Sequence, residues 1–501
     1  MKKLLIIEII VAVLFLTFLV VSVGILSSSI RSMKTSKNGI ETQRADRKQL
    51  QMQMGNLQED FSPLQYQGVA QENLLSLCFD NLLSRDESGR VTSTEGKGWK
   101  KGELAFSHIT SRKEQDGSTY LTISINPDKK AFHGSQMTAR DVIFNYYLRL
   151  DASSGLSDCF AGTEIVGARE YTYGSNDIAG RQKEIDKLLL SPSQALKERI
   201  QNEIIRPELQ REYLWVQGLY GDEKFQFITS KYTKPKDLFA YYYAYQTSYV
   251  SGNRTESQVM EDIVAQYGAN YIALGKVTER DYSEQAKRMA LGELLKQSGK
   301  DTVTSVSGIR LIDEQTVEIH VLAGENPIEK ICDFWVLPLE SYGEKSMYNG
   351  TTCFGFQKGQ AKKIVSLTQE KFLGTGAFYM AQKNPDILTL TRNPFFQKKV
   401  GLEKLEIIRK EFEKPEEIIK EFLKGKLDMA VVKEEESLDK LLNNRGTGAA
   451  HRIKRIKMQS DNLEESILYR TDSVNATTLP RKKQTIRGIF QEFYRIKCIS
   501  K

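Results

Sequence analysis

The chain has 501 residues, 40% of them hydrophobic and 27% charged, so it can build more than one core and is too apolar for wholesale disorder. Its formal net charge of +7 is uneven: residues 444–501 hold 13 Lys/Arg against 5 Asp/Glu, and the other 443 residues hold 58 against 59. A charge confined to one tail excludes the basic face of a nucleic-acid binder.

The N-terminal stretch sets the compartment. Lys2 and Lys3 precede an apolar run from Leu4 to Leu26, and no charge occurs between Ile9 and Leu26. About 20 apolar residues cross a bilayer, whereas a secretory h-region needs about 7–15, so the length favours an uncleaved signal-anchor over a cleaved signal peptide. Ser27 and Ser29 are small enough to keep cleavage open. No cysteine adjoins the run, which excludes a lipid attachment site there. Positive charges on the two sides nearly balance and do not set the orientation. Residues 1–29 are therefore read as membrane segment or signal, and 30–55, polar and without apolar period, as a spacer.

From Gln71 the pattern predicts a short amphipathic helix with Leu74, Leu75, Leu77 and Phe79 inward, and Asp86–Gly89 reads as a turn. Tyr120–Ile125 alternates as a strand and ends at an Asn126-Pro-Asp turn. Thr138 then caps a helix, with Asp141 three residues on in a capping-box role. Residues 181–300 are charged, helical in period and divided by Pro192, Pro207 and Pro235 into separate helices. The tyrosines at 241–243 and 245 could stack on a ligand, but packing on a neighbouring helix is the simpler reading. Strands return at Ile309–Ile312, Thr316–Leu322, Phe378–Met380, Ile387–Thr391 and Leu405–Ile408. A helix over 415–424 and a strand over 427–432 follow, and the alternation predicts an α/β fold.

Standard enzyme chemistry is not encoded in any recognisable spacing. Gly299-Lys300 lacks the rest of a phosphate loop, Gly374-Thr-Gly376 lacks the third glycine of a dinucleotide loop, and Ser307 is not in a GxSxG elbow. Five scattered cysteines make no disulfide framework, and four distant histidines make no metal site. Neither a catalytic activity nor a cofactor or metal is expected.

The run Tyr120-Leu-Thr-Ile-Ser-Ile-Asn-Pro-Asp-Lys-Lys-Ala-Phe-His-Gly-Ser-Gln-Met-Thr-Ala-Arg-Asp-Val resembles the strand–turn–helix signature of family 5 extracellular solute-binding proteins, without the family's Asp between His133 and Gly134. Four further segments are similar to that family's in the same order: 79–89, 307–338, the pair 373–379 with 390–396, and 422–430. The resemblance implies a two-lobed periplasmic-binding-protein-like fold with a hinge, lobe one over 56–373 with a helical insertion at 181–300, and the start of lobe two over 374–501. It implies the substrate-binding component of an ABC importer, with a peptide as ligand, permease subunits as partners and the bulk of the chain outside the cell membrane. It places the hinge near Gly374 and Gly376, where glycine tolerates unusual dihedrals, and offers Phe61, Asp158 and Phe354 as pocket-wall candidates, for each of which core packing is the competing role. Family members continue beyond the point matched by Lys501, so the second lobe is expected to be incomplete and the chain alone to bind peptide weakly or not at all. A membrane-anchored sensor or a degenerate copy are the alternatives from other classes.

Overall fold

The computed structural model describes residues 49–53, 61–66, 69–84, 91–94, 99, 103–156, 165–220, 225–297, 299–397, 403–409, 415–424, 426, 427, 429–433, 453–460 and 463–470. The expectations for residues 4–26, for the turn at 86–89 and for Asp158 lie outside them. Among the described residues no helix is long and apolar enough to cross a membrane.

The fold is α/β, with two sheets and a helical insertion. Strand β1 (Gln49–Gln53) comes first, followed by helix α1 (Val69–Cys78). Strands β2 (Ser107–Lys113) and β3 (Thr119–Ile125) make a hairpin. On β3 the residues alternate strictly, with Leu121, Ile123 and Ile125 buried and Tyr120, Thr122 and Ser124 half-buried on the other face. Helix α2 (Ala139–Leu150) follows, then the insertion, whose helices include α3 (Arg206–Leu219) and α4 (Pro235–Tyr243). Strands β4 (Ile309–Asp313) and β5 (Thr316–Val321) complete a four-stranded antiparallel sheet in the order β2-β3-β5-β4.

Helix α5 (Ala361–Glu370) leads to the second sheet. Its strands are β6 (Phe378–Lys383), β7 (Ile387–Arg392), β8 (Lys404–Ile408), β9 (Met429–Lys433), β10 (Ile453–Ser460) and β11 (Leu463–Arg470), with helix α6 (Pro415–Leu423) between β8 and β9. The order is β10-β11-β9-β1-β8-β7-β6. Part of the stretch read as a spacer is therefore structural. Strand β1 runs parallel to β8 and β9 in the sheet interior, with Leu50 opposite Leu405 and Met52 opposite Ile407.

The boundary expected at 373/374 separates two sheets but not two cores. One apolar cluster runs from Leu121, Ile123 and Val317 of the first sheet to Phe378, Leu390, Leu405 and Ile407 of the second. A separate cluster, with Leu209, Val216, Leu238, Phe239 and Ile263, belongs to the insertion. Pro207 does not divide helices there. Residues 194–219 run on through a π-helical turn at Gln201–Ile205, just where Pro207 lacks its N–H and its ring would crowd the Glu203 carbonyl.

Helix α2 organises the first sheet. Its start is the expected capping box: the Thr138 N–H and hydroxyl both donate to Asp141 Oδ2, at 2.7 and 2.9 Å. Eleven of its twelve residues are buried, so its polar side chains must find partners inside. They find them along one extended segment. Asp141 Oδ1 accepts from the Leu339 N–H at 2.8 Å, and Asn145 exchanges two bonds with the Leu337 backbone at 2.7 and 3.1 Å. Arg149 Nη2 donates to the Trp335 carbonyl at 3.1 Å, with its guanidinium over the Phe334 ring. Four helical residues rise about 6.0 Å and two extended residues about 6.8 Å, so a stripe at i, i+4, i+8 can follow every second backbone unit. Burial pushes the Asp141 carboxyl above the usual carboxylate range, and the bonds from Leu339 and Thr138 oppose that shift.

Burial also sets the thiols. Cys78 is pushed up, and Cys332, beside the Tyr146 hydroxyl, is pushed up to about 12. In the native chain at pH 8, iodoacetamide followed by peptide mapping is expected to modify the half-buried Cys353 and spare Cys78 and Cys332 until denaturant is added. Modification of Cys78 or Cys332 at the rate of Cys353 would contradict this packing.

Candidate functional site

Three of the segments that carry the family resemblance, 79–89, the run from Tyr120 and the pair 373–379 with 390–396, meet at the junction of the two sheets. Asp80, two residues beyond α1, accepts from Lys129 Nζ and from the Thr375 hydroxyl, each at 2.7 Å on Oδ2. The Lys129 side chain is only 2% exposed, so this carboxylate is the counter-charge that lets a lysine lie in the core. The Gly376 N–H donates to the Cys78 carbonyl at 2.9 Å. Asn393 Nδ2 donates to the Gly376 carbonyl at 2.9 Å, and Asn393 Oδ1 turns the chain by accepting from the Phe395 N–H at 3.0 Å.

The outer rim of the junction is aromatic. The Phe132 ring lies 4.2 Å from Tyr379, and the Phe395 ring packs directly on Gly134. A Cβ on Gly134 would fall 2.7 Å from that ring, and its φ of +86° is left-handed, so glycine is required there twice over. Phe132 and Tyr379 are half-buried and Phe395 is exposed, which leaves an apolar rim open to solvent.

Gly374 and Gly376, expected near the hinge for their unusual dihedrals, sit at a close crossing of two backbones. Neither has positive φ among the described residues. A Cβ on Gly374 would meet the Cys78 carbonyl oxygen at 2.2 Å, and one on Gly376 the Leu77 carbonyl oxygen at 2.4 Å. These glycines permit close approach of two backbones, and the contact fixes the crossing between sheets.

Two pocket-wall candidates are core residues. Phe61 is 2% exposed and packs edge-on against Phe372 at 5.2 Å. Phe354 is 5% exposed and stacks on Tyr147. Phe61 does back a groove, because Lys383 lies over its ring at 5.9 Å and lines that groove. The groove has about 450 Å³, bounded by Ser366, Gln369 and Glu370 of α5 and by Met380–Lys383 of β6. Among the described strands β6 lies at the edge of its sheet, with a bulge between Met380 and Gln382, and its Met380 N–H donates to the Phe372 carbonyl at 3.1 Å. A smaller cleft of about 200 Å³ lies at the start of α2, among Thr138, Arg140, Glu314, Glu340, Lys345 and Tyr348. Among the described residues no group of three or more His, Cys, Asp or Glu could hold a metal.

The signal for this site was present in part. An Asp-x₃-Asn-x₃-Arg stripe in an otherwise apolar helix marks a buried polar ladder, whereas the Asp80–Lys129–Thr375 contact joins residues up to 295 positions apart and has no local signature.

No family model and no curated protein matches the chain. Solved structures do. Haemophilus influenzae OppA in complex with RPPGFSPFR is 11% identical with a TM-score of 0.37, over 82% of this chain and 50% of that one. The Escherichia coli murein tripeptide binding protein MppA is 12% identical with a TM-score of 0.38, over 83% and 51%. Lactococcal OppA, complexed with an endogenous peptide in the closed conformation, is 12% identical with a TM-score of 0.40, over 82% and 49%. The chain spans about half the length of the solved proteins it matches.

Proposed function

We propose that this chain is a solute-binding component of an ABC importer, held at the outer face of the cell membrane and capturing peptides without a catalytic step of its own. The observation that carries the reading is convergence. Asp80, Lys129, Gly134, Thr375, Asn393 and Phe395 come from separate segments of the family resemblance, and they meet in one junction of bonds and ring contacts. Chance matches to short motifs would have no reason to be neighbours in space.

A peptide ligand suits the surfaces beside that junction. The β6 groove offers polar side chains, Gln369, Glu370 and Gln382 among them, and the rim rings offer apolar contact for side chains. Delivery of the ligand requires a membrane partner. Cross-linking of the full chain in its native membranes, followed by mass spectrometry, is expected to recover transmembrane permease subunits joined to it. Recovery of a kinase or protease with no permease would overturn import in favour of sensing.

A further inference from the structure

Fifteen large hydrophobic residues are exposed among those described, and ten of them lie between 181 and 300. The insertion has its own closed core, so these side chains are surplus to its packing. Five of the ten, Phe227, Tyr241, Tyr242, Tyr245 and Val250, fall within one short stretch around α4. Ring contacts make part of it continuous, with Tyr241 5.1 Å from Tyr232 and 5.1 Å from Tyr242. Lys231 Nζ lies 5.4 and 5.7 Å from the Tyr232 and Tyr241 centroids.

The charge beside the Tyr232 and Tyr241 rings is Lys231, while Glu212 and Asp262 accept from the hydroxyls of Tyr243 and Tyr249. Between Phe225 and Val250 the sequence holds three lysines and a single acid, Asp237. Asp237 is engaged by the Ser251 hydroxyl at 2.5 Å and by the buried Lys236 at 2.9 Å. Lys231 and Lys234 are exposed.

We infer that this aromatic, basic face of the insertion is a docking surface for an anionic lipid bilayer. Tyrosine and phenylalanine rings seat at headgroup depth, and lysines beside them add attraction to anionic lipids. Proximity rests on the membrane-segment reading of residues 4–26 advanced above. Twenty-two residues separate Leu26 from Gln49 of β1, a span of at most about 80 Å when fully extended. An anchor there would hold β1 within that span of the bilayer.

The test is hydroxyl-radical footprinting of the full chain in lipid nanodiscs, one set of phosphatidylcholine alone and one with about a third phosphatidylserine. Oxidation of Phe227, Tyr241, Tyr242 and Tyr245 is expected to fall at least threefold in the anionic discs, while Tyr66 and Phe395 keep their labelling. Half-molar salt, or the pair Lys231→Glu and Lys234→Glu, is expected to restore it. Equal labelling in both discs overturns the inference, as does protection that appears only when a soluble acidic protein is added. A chain that elutes free of the discs refutes the anchor instead, and the same footprint is then read with anionic liposomes added to the free chain, where unchanged labelling again overturns the docking face.

Discussion

Replacing Asp80 by alanine is expected to destabilise the chain by about 3–5 kcal/mol, the usual cost of leaving a buried charge without its partner. The Lys129 ammonium has Asp80 Oδ2 at 2.7 Å, and its side chain is almost wholly excluded from water. The same carboxylate holds Thr375, so the crossing between sheets loosens as well. Lys129→Met in the Asp80→Ala background is expected to recover most of the loss, because an apolar side chain needs no counter-charge. Urea melts of the two single variants and the double variant give the comparison. A double variant no more stable than Asp80→Ala would show that the pair does not act as a unit.

A comparable loss is expected for Asn145→Leu. The substitution removes both bonds to the Leu337 backbone, at 2.7 and 3.1 Å, and one of the two acceptors of Arg149 Nη1, at 3.0 Å. Buried groups left unsatisfied cost about 1–3 kcal/mol each, so a total near 4 kcal/mol follows, with little change in denaturant slope if the core stays compact. Exchange of the Leu337 amide should accelerate in step. A variant as stable as the parent would mean that the ladder between α2 and residues 335–339 contributes nothing net.

Much of the fold was legible because its signals are local. The alternation of Tyr120–Ile125 and Thr316–Val321, and the Thr138/Asp141 cap, depend on neighbours in sequence, and the structure shows each where the pattern puts it. Strand β1 escaped because Gln-Leu-Gln-Met-Gln has only two apolar residues, and it is a strand because β8 and β9 supply partners on both sides. The proline at 207 misled because propensity ignores a π turn that relieves the clash. Phe61 and Phe354 read more readily as core than as wall from sequence, and the structure packs them on Phe372 and Tyr147. Glycine at 374 and 376 signalled a special backbone correctly, but close approach and unusual dihedrals leave the same letter in a sequence.

The central claim is that this chain captures peptides, and a ligand that binds only the folded form must stabilise it by mass action. The direct measurement is a thermal melt of the full chain, in detergent or nanodiscs, titrated with a mixed pool of short peptides up to several millimolar and with free amino acids as the control. Peptides are expected to raise the melting temperature only towards the millimolar end of the range, as weak binding requires, and free amino acids to leave it unchanged. A melting temperature that does not move over the whole peptide range would contradict the account.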